Sequence, residues 1–226
     1  MSMTAYLIYF AILMIVPLWA QSRVKSTYSK YSKIATSSHM TGAQVARKIL
    51  DENGLYDVQI QETKGVLTDH YDPRDKVVRL SSGNFHGQTM AAAAVSAHEV
   101  GHAIQDEEEY SFFNFRSALV PVANFGSKTS FYLIMAGIIF TSLNSLILVG
   151  VIFMAAAVLF QLVTLPVEFN ASSRAMTQLV STGVINNSEE RDTKKVLNAA
   201  ALTYVAAAIV AVAELMRFLL IFLSRD

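Results

Sequence analysis

The stretch VSAHEVGHAIQDEEEY, Val95 to Tyr110, decides how the chain is read. It sets two histidines, His98 and His102, four residues apart, with Glu99 directly after the first. Side chains four apart on an α-helix share a face, so both imidazoles can grip one metal ion. Glu99 points about 100° round from His98. From there its carboxylate reaches a water beside the ion without being a ligand. Two surface histidines are the ordinary alternative for such a pair. Val95, Ala97, Val100, Ala103 and Ile104 argue against it, because they leave little of this turn as an exposed face and buried unpaired imidazoles are costly.

The chain of 226 residues has no cysteine, so there is no disulfide framework, and zinc would be held by histidine and carboxylate. A catalytic zinc takes three protein ligands and keeps one position open. Glu107, Glu108 and Glu109 follow on the same helix, but one helix cannot fold back to close a tetrahedron; they read as a solvated acidic end. His70 and His86 lie in loops without a metal-spaced partner. Glu168, in VTLPVEFNASSRAM, is the better candidate. It ends an uncharged block, and Pro166 just before it can set a helix start.

Hydrophobic residues make up 53% of the chain and fall in blocks, as expected where a chain is dissolved in lipid. Met3 to Ala20 carries no charge and closes on Trp19, a residue that favours the membrane interface. A signal peptide is the competing reading, but Lys and Arg are missing from its start and no small-residue cleavage site follows. Phe131 to Val167 is also uncharged and would be about 55 Å long as one helix, too long for one crossing. It reads as a hairpin turning near Thr141 to Ser145, with a first arm reaching back to Ala118 and Lys128 snorkelling or facing protein. Ala199 to Leu223 is a further span in which Glu214 and Arg217, three apart, can pair.

Four cations between Gln21 and Lys33 place that segment in the cytoplasm by the positive-inside rule. The amino terminus and Arg225–Asp226 then lie outside. Two hairpin crossings return Glu168 to the side that holds His98 and His102. The predicted fold is mainly α, an integral membrane protein with a small β-hairpin or sheet and about four transmembrane helices. Its parts are an anchor (1–22), a cytoplasmic region with the two-histidine helix (23–117), a transmembrane hairpin (118–167), a third-ligand helix with a cytoplasmic segment (168–198) and a last transmembrane helix (199–226). Equal numbers of acidic and basic side chains, 18 each, give no footprint for nucleic acid.

Within the cytoplasmic region, Thr41 to Gly54 reads as an amphipathic helix with Thr41 as N-cap and Val45, Ile49 and Leu50 inward. VQI and VVRL read as strands joined by a turn at DPRDK, bent at Pro73. The motif helix follows, with Ser82 or Asn84 as cap. The Val77–Ser82 strand could hold an extended substrate by backbone pairing.

SAHEVGHAIQ, LVPVAN, LFQLVTLPVEFNASSRA and AAALTYVAAA together resemble the YugP-like family of bacterial membrane zinc metallopeptidases. TGAQVARKIL and LTDHYDP extend the likeness over nearly the whole chain. The resemblance implies a neutral zinc metallopeptidase of the gluzincin type, with one Zn2+ per chain on His98, His102 and Glu168 and with Glu99 as general base. The motif is similar, more distantly, to membrane peptidases of the HtpX type, where an aspartate four positions after the third ligand supports a zinc histidine. Here that position is Ser172, which cannot supply the same charge. Asn170 and Arg174 are candidates to compensate.

The expected function is a membrane-anchored, zinc-dependent endopeptidase with a polypeptide substrate at or in the lipid bilayer of the cell membrane. His70, His86, Asn170 and Arg174 are the candidates to stabilise the oxyanion. Two rivals stand: a scaffold or transporter with a closed structural zinc site, and a zinc hydrolase acting on a non-peptide amide or ester.

Overall fold

The structure is a computed structural model that describes residues 3–224. Arg225 and Asp226, expected outside the membrane, fall beyond the described residues. Seven helices are α1 (Met3–Tyr31), α2 (Gly42–Glu52), α3 (Ser82–Phe85), α4 (Met90–Glu107), α5 (Ser111–Ile139), α6 (Ser145–Ser181) and α7 (Glu190–Leu223). Between α2 and α3 lie the strands β1 (Gln59–Thr63), β2 (His70–Asp72) and β3 (Val77–Ser81). The chain is thus mainly helical with one small sheet.

Local signals account for most boundaries. The Thr41 side chain accepts the Gln44 N–H while the Gln44 side chain accepts the Thr41 N–H, so two orphan donors of α2 are satisfied reciprocally. Val45, Ile49 and Leu50 are fully buried. Past the end of α2, Gly54 takes the left-handed conformation with φ 74°.

The motif helix starts later than expected. Thr89, not Ser82 or Asn84, caps α4 by accepting the Ala92 N–H, and Ser82–Phe85 forms the separate short α3. Asn84 does not cap: it lies inside α3, and its side-chain oxygen, the atom a cap would use, accepts the Tyr28 hydroxyl at 2.9 Å. Pro166 likewise does not start a helix; α6 runs through it to Ser181. An interior proline removes one rung of the ladder, and a 37-residue helix packed along its length tolerates the loss.

The sheet also departs from the expected hairpin of VQI and VVRL. β1 and β3, which contain those runs, pair in parallel, and the Pro73 turn joins β3 to the short antiparallel β2. The order is β1-β3-β2. Both edges of β3 are therefore occupied. β1 pairs with Val77–Ser81 and β2 with Val77–Arg79, which leaves little of Val77–Ser82 open to a substrate strand.

Three described helices are long and apolar enough to cross a membrane: α1, α6 and α7. α5 is more polar, with Asn124 and the Ser127–Ser130 run inside it and Lys128 exposed. It nevertheless packs along α6 as the other arm of a hairpin, and the turn falls at Thr141–Leu143, where the polar interruption placed it. Gly150 makes that contact close, since a Cβ there would meet the Ile134 side chain at 2.6 Å and its backbone nitrogen at 3.1 Å.

α1 and α7 run antiparallel. The Tyr9 hydroxyl donates to Glu214 and the Tyr31 hydroxyl to Asp192, at 2.8 and 3.0 Å. Equal spacing of those anchors on both helices keeps them side by side throughout. Glu214 also pairs with Arg217, as their spacing predicts, and Arg217 lies against the rings of Tyr9, Phe10 and Phe218.

The contact that positions the site is between α4 and α6. A Cβ on Gly101 would lie 2.7 Å from the Ala171 carbonyl oxygen and 3.2 Å from its Cα. Backbone cannot yield as a flexible side chain does. We therefore expect Gly101→Ala to push the two helices apart, lowering stability by about 1–3 kcal/mol and weakening zinc retention, as read by thermal unfolding in detergent and by metal analysis.

Candidate metal centre

α4 is buried on nearly every side. Ala91–Ala94, Ala97, Val100, Ala103 and Ile104 are all within the core, so α2, α6 and α7 approach closely around it. His98 and His102 emerge from this helix toward α6, where Glu168 sits one turn before Ala171. One ligand atom from each of His98, His102 and Glu168 lies within 4.8 Å of the others, so the three could hold one metal ion. Nε2 of His98 is 3.1 Å and Nε2 of His102 3.7 Å from the same carboxylate oxygen, Oε2. The two imidazoles stand nearly perpendicular, at 84°.

The surroundings select which atoms face the cluster. Gln105 donates from its amide nitrogen to the Val167 carbonyl and to Asn170, at 2.9 and 2.8 Å. That spends both amide hydrogens, so its oxygen, 2.9 Å from Nδ1 of His102, accepts. Nδ1 of His102 is then the protonated nitrogen, and Nε2 keeps its lone pair for a metal. Ser172 lies 3.2 Å from Nδ1 of His98, within hydrogen-bond reach of the ring nitrogen that faces away from the cluster.

Arg116, from α5, donates to Oε1 of Glu168 at 3.0 Å. The carboxylate is thereby divided: one oxygen is held by a guanidinium, and the other faces the histidines.

Glu99 is not one of the three clustered donors. Its carboxylate is buried, and it accepts the backbone N–H of Tyr71 on β2. Burial pushes the Glu99 carboxyl up to about 7, against the pull of the neighbouring His98. A group so placed exchanges a proton near neutral pH. Beside it opens a cavity of about 160 Å³ that His98 and Glu99 line together with Asp69, Val95 and, from α7, Thr203 and Tyr204. Tyr204 turns its hydroxyl to Glu168.

The remaining candidates scatter. His70 is exposed on β2, with Nδ1 2.8 Å from the Thr68 carbonyl. His86 is exposed and lies 3.1 Å from Glu62. Asn170 accepts from Arg174 at 2.7 Å, and Arg174 pairs with Glu108 at the end of α4. Asn170 therefore supports His102 through Gln105, whereas Arg174 ties α6 to the acidic helix end. Glu107, Glu108 and Glu109 stay outside the cluster.

Matching against known families falls on residues 6–223, and the family is described as "Putative neutral zinc metallopeptidase". The chain belongs to that family. A curated relative, "Putative membrane protease YugP" of Bacillus subtilis (strain 168), is 54% identical over 206 residues, 91% of each chain. No solved structure matches. A YugP-like membership, read from SAHEVGHAIQ and LPVEFNAS, is thus shown. The family's name and the relative's fit a zinc peptidase and a membrane protein, consistent with the three apolar helices.

Sequence reasoning passed over four residues at this site. Gln105 stands three positions after His102, a polar group on a turn otherwise apolar, and that spacing was the available signal. Tyr204 lay within AAALTYVAAA. Arg116 and Asp69 carried no motif spacing, and only the fold brings them near. We expect Gln105→Leu, which keeps the volume but frees Nδ1 of His102, to weaken zinc affinity about 10- to 100-fold, as measured by competition with a chelating indicator.

Proposed function

We propose that the protein is a membrane-anchored, zinc-dependent endopeptidase of the gluzincin type, with His98, His102 and Glu168 holding one zinc ion and Glu99 acting as general base. The observation that carries this reading is the separation of roles on one short helix and its neighbour: three donors converge, and a buried carboxylate stands beside them uncommitted. The donor set fits zinc, since two imidazoles with free Nε2 lone pairs and one carboxylate are borderline nitrogen and oxygen ligands of the kind zinc takes. When bound, the ion lowers the pKa of a water toward neutrality and polarises the carbonyl to be cleaved.

The chain's own residues do the rest. Glu99 takes the proton from the attacking water and delivers it to the leaving amine. Gln105 holds His102 in the tautomer that leaves Nε2 free, and Ser172 steadies the His98 ring from its Nδ1 side. Arg116 holds one oxygen of Glu168 and so aims the other at the histidines. Tyr204 faces the same cavity and is the hydroxyl best placed to donate to an oxyanion. With β3 between β1 and β2, the edge strand beside the site is β2; its Tyr71 N–H is held by Glu99, so an extended substrate pairs with the other groups of that edge.

The membrane reading completes the proposal. α5 crosses with α6 as a hairpin, giving four spans, and the cations of Gln21–Lys33 place the catalytic face in the cytoplasm. Val24 and Tyr204 both border the cavity, only a turn or so from Trp19 at the interface. Access at that depth favours polypeptides in or beside the cell membrane.

In a purified preparation, zinc-dependent cleavage of an unfolded, casein-like protein should stop on adding chelator. In Glu99→Gln it should fall about 10²- to 10⁴-fold with zinc still bound. Retained cleavage in that variant sinks the assignment. Independently, Asn53→Cys should resist an impermeant reagent applied to intact cells and react once the membrane is opened.

A further inference from the structure

On the opposite side of α1 from the metal centre, α1 and α7 enclose a second cleft, about 440 Å³ in volume, which the peptidase reading does not use. Its walls carry three cations, Arg23 and Lys30 from α1 and Lys195 from α7, with hydroxyl and amide groups of Ser26, Thr27 and Asn198 between them. Apolar lining comes from Ala199 and Leu202 of α7. Among the described residues, neither Arg23 nor Lys30 has an ion-pair partner; Lys195 is shared with Asp192 at 2.6 Å. Asp192 in turn accepts from Tyr31 at 3.0 Å, which fixes that wall.

We propose that this cleft binds the headgroup of an anionic phospholipid. Three observations converge on that class of ligand. Cations from two helices surround one concavity, where mere orientation of the span would need them only somewhere on the cytoplasmic side. Donors that suit phosphate oxygens lie between the charges. Ala199 and Leu202 in the lining begin the apolar stretch of α7, along which an acyl chain can run.

Depth agrees. Trp19 precedes Arg23 by one turn on the same face of α1 and is 55% exposed, as an interfacial indole is. Arg23 lies about 6 Å further along the axis, roughly the thickness of one headgroup layer. A lipid phosphate held there would clamp α1 to α7 beside the cavity of the metal centre.

The chain's single tryptophan supplies the test. The full chain is reconstituted in vesicles containing equal fractions of brominated phosphatidylglycerol or brominated phosphatidylcholine, and quenching of Trp19 is compared at fixed ionic strength. The anionic lipid should quench more strongly. That preference should weaken about five-fold for each cation replaced in the series Arg23→Gln, Lys30→Gln and Lys195→Gln. A charge-matched variant elsewhere, Lys48→Gln with Lys64→Gln and Arg74→Gln, should keep it. Equal quenching by the two lipids, or loss of preference in the charge-matched variant, overturns the proposal. So does abolition of the preference by millimolar inorganic phosphate, which would mark a site for the free anion. Because the readout needs no zinc and no turnover, its failure and that of the peptidase reading are separable.

Discussion

The structure around α4 turns on one buried charge. The side chain of Glu168 is only 4% exposed, and an ionised carboxylate so far from water costs several kcal/mol unless its oxygens are matched. Two imidazoles meet one oxygen and Arg116 meets the other, so three helices, α4, α5 and α6, are committed to a single point. Removing any partner leaves charge without compensation. The approach of Gly101 to Ala171 is what lets those helices come close enough for the commitment to be made.

The same constraint links the metal centre to the lipid. Glu168 stands on α6, which is long and apolar enough to cross a membrane and forms the second arm of the hairpin. α7 covers the other side of the cavity with Thr203 and Tyr204 and is pinned to α1 by two tyrosine hydroxyls. An apolar bundle therefore sets the geometry of a polar site at its boundary. Chemistry and membrane placement are not separate modules in this chain.

Much of this was legible in the sequence, for identifiable reasons. The pair His98 and His102 was readable because a helix converts a four-residue spacing into a shared face. Glu168 stood out as the carboxylate that ends an uncharged block, and the structure brings it to the histidines. α2 announced itself through Thr41 and Gln44. What was not legible depended on pairing at a distance. A three-residue strand such as β2 carries no periodicity, and its insertion beside β3 removed the edge that Val77–Ser82 seemed to offer. Asn84 looked like a cap, but the Tyr28 hydroxyl from distant α1 takes its side-chain oxygen. Arg116 reads as a flanking cation, and only packing of α5 beside α6 turns it toward Glu168.

The central claim concerns which atoms surround the ion, and X-ray absorption at the zinc edge on the purified full chain measures that directly. The account predicts two imidazole nitrogens and oxygen donors only, with one oxygen position exchanging when a hydroxamate is added. A third imidazole, or a shell of four protein donors indifferent to the hydroxamate, would contradict it.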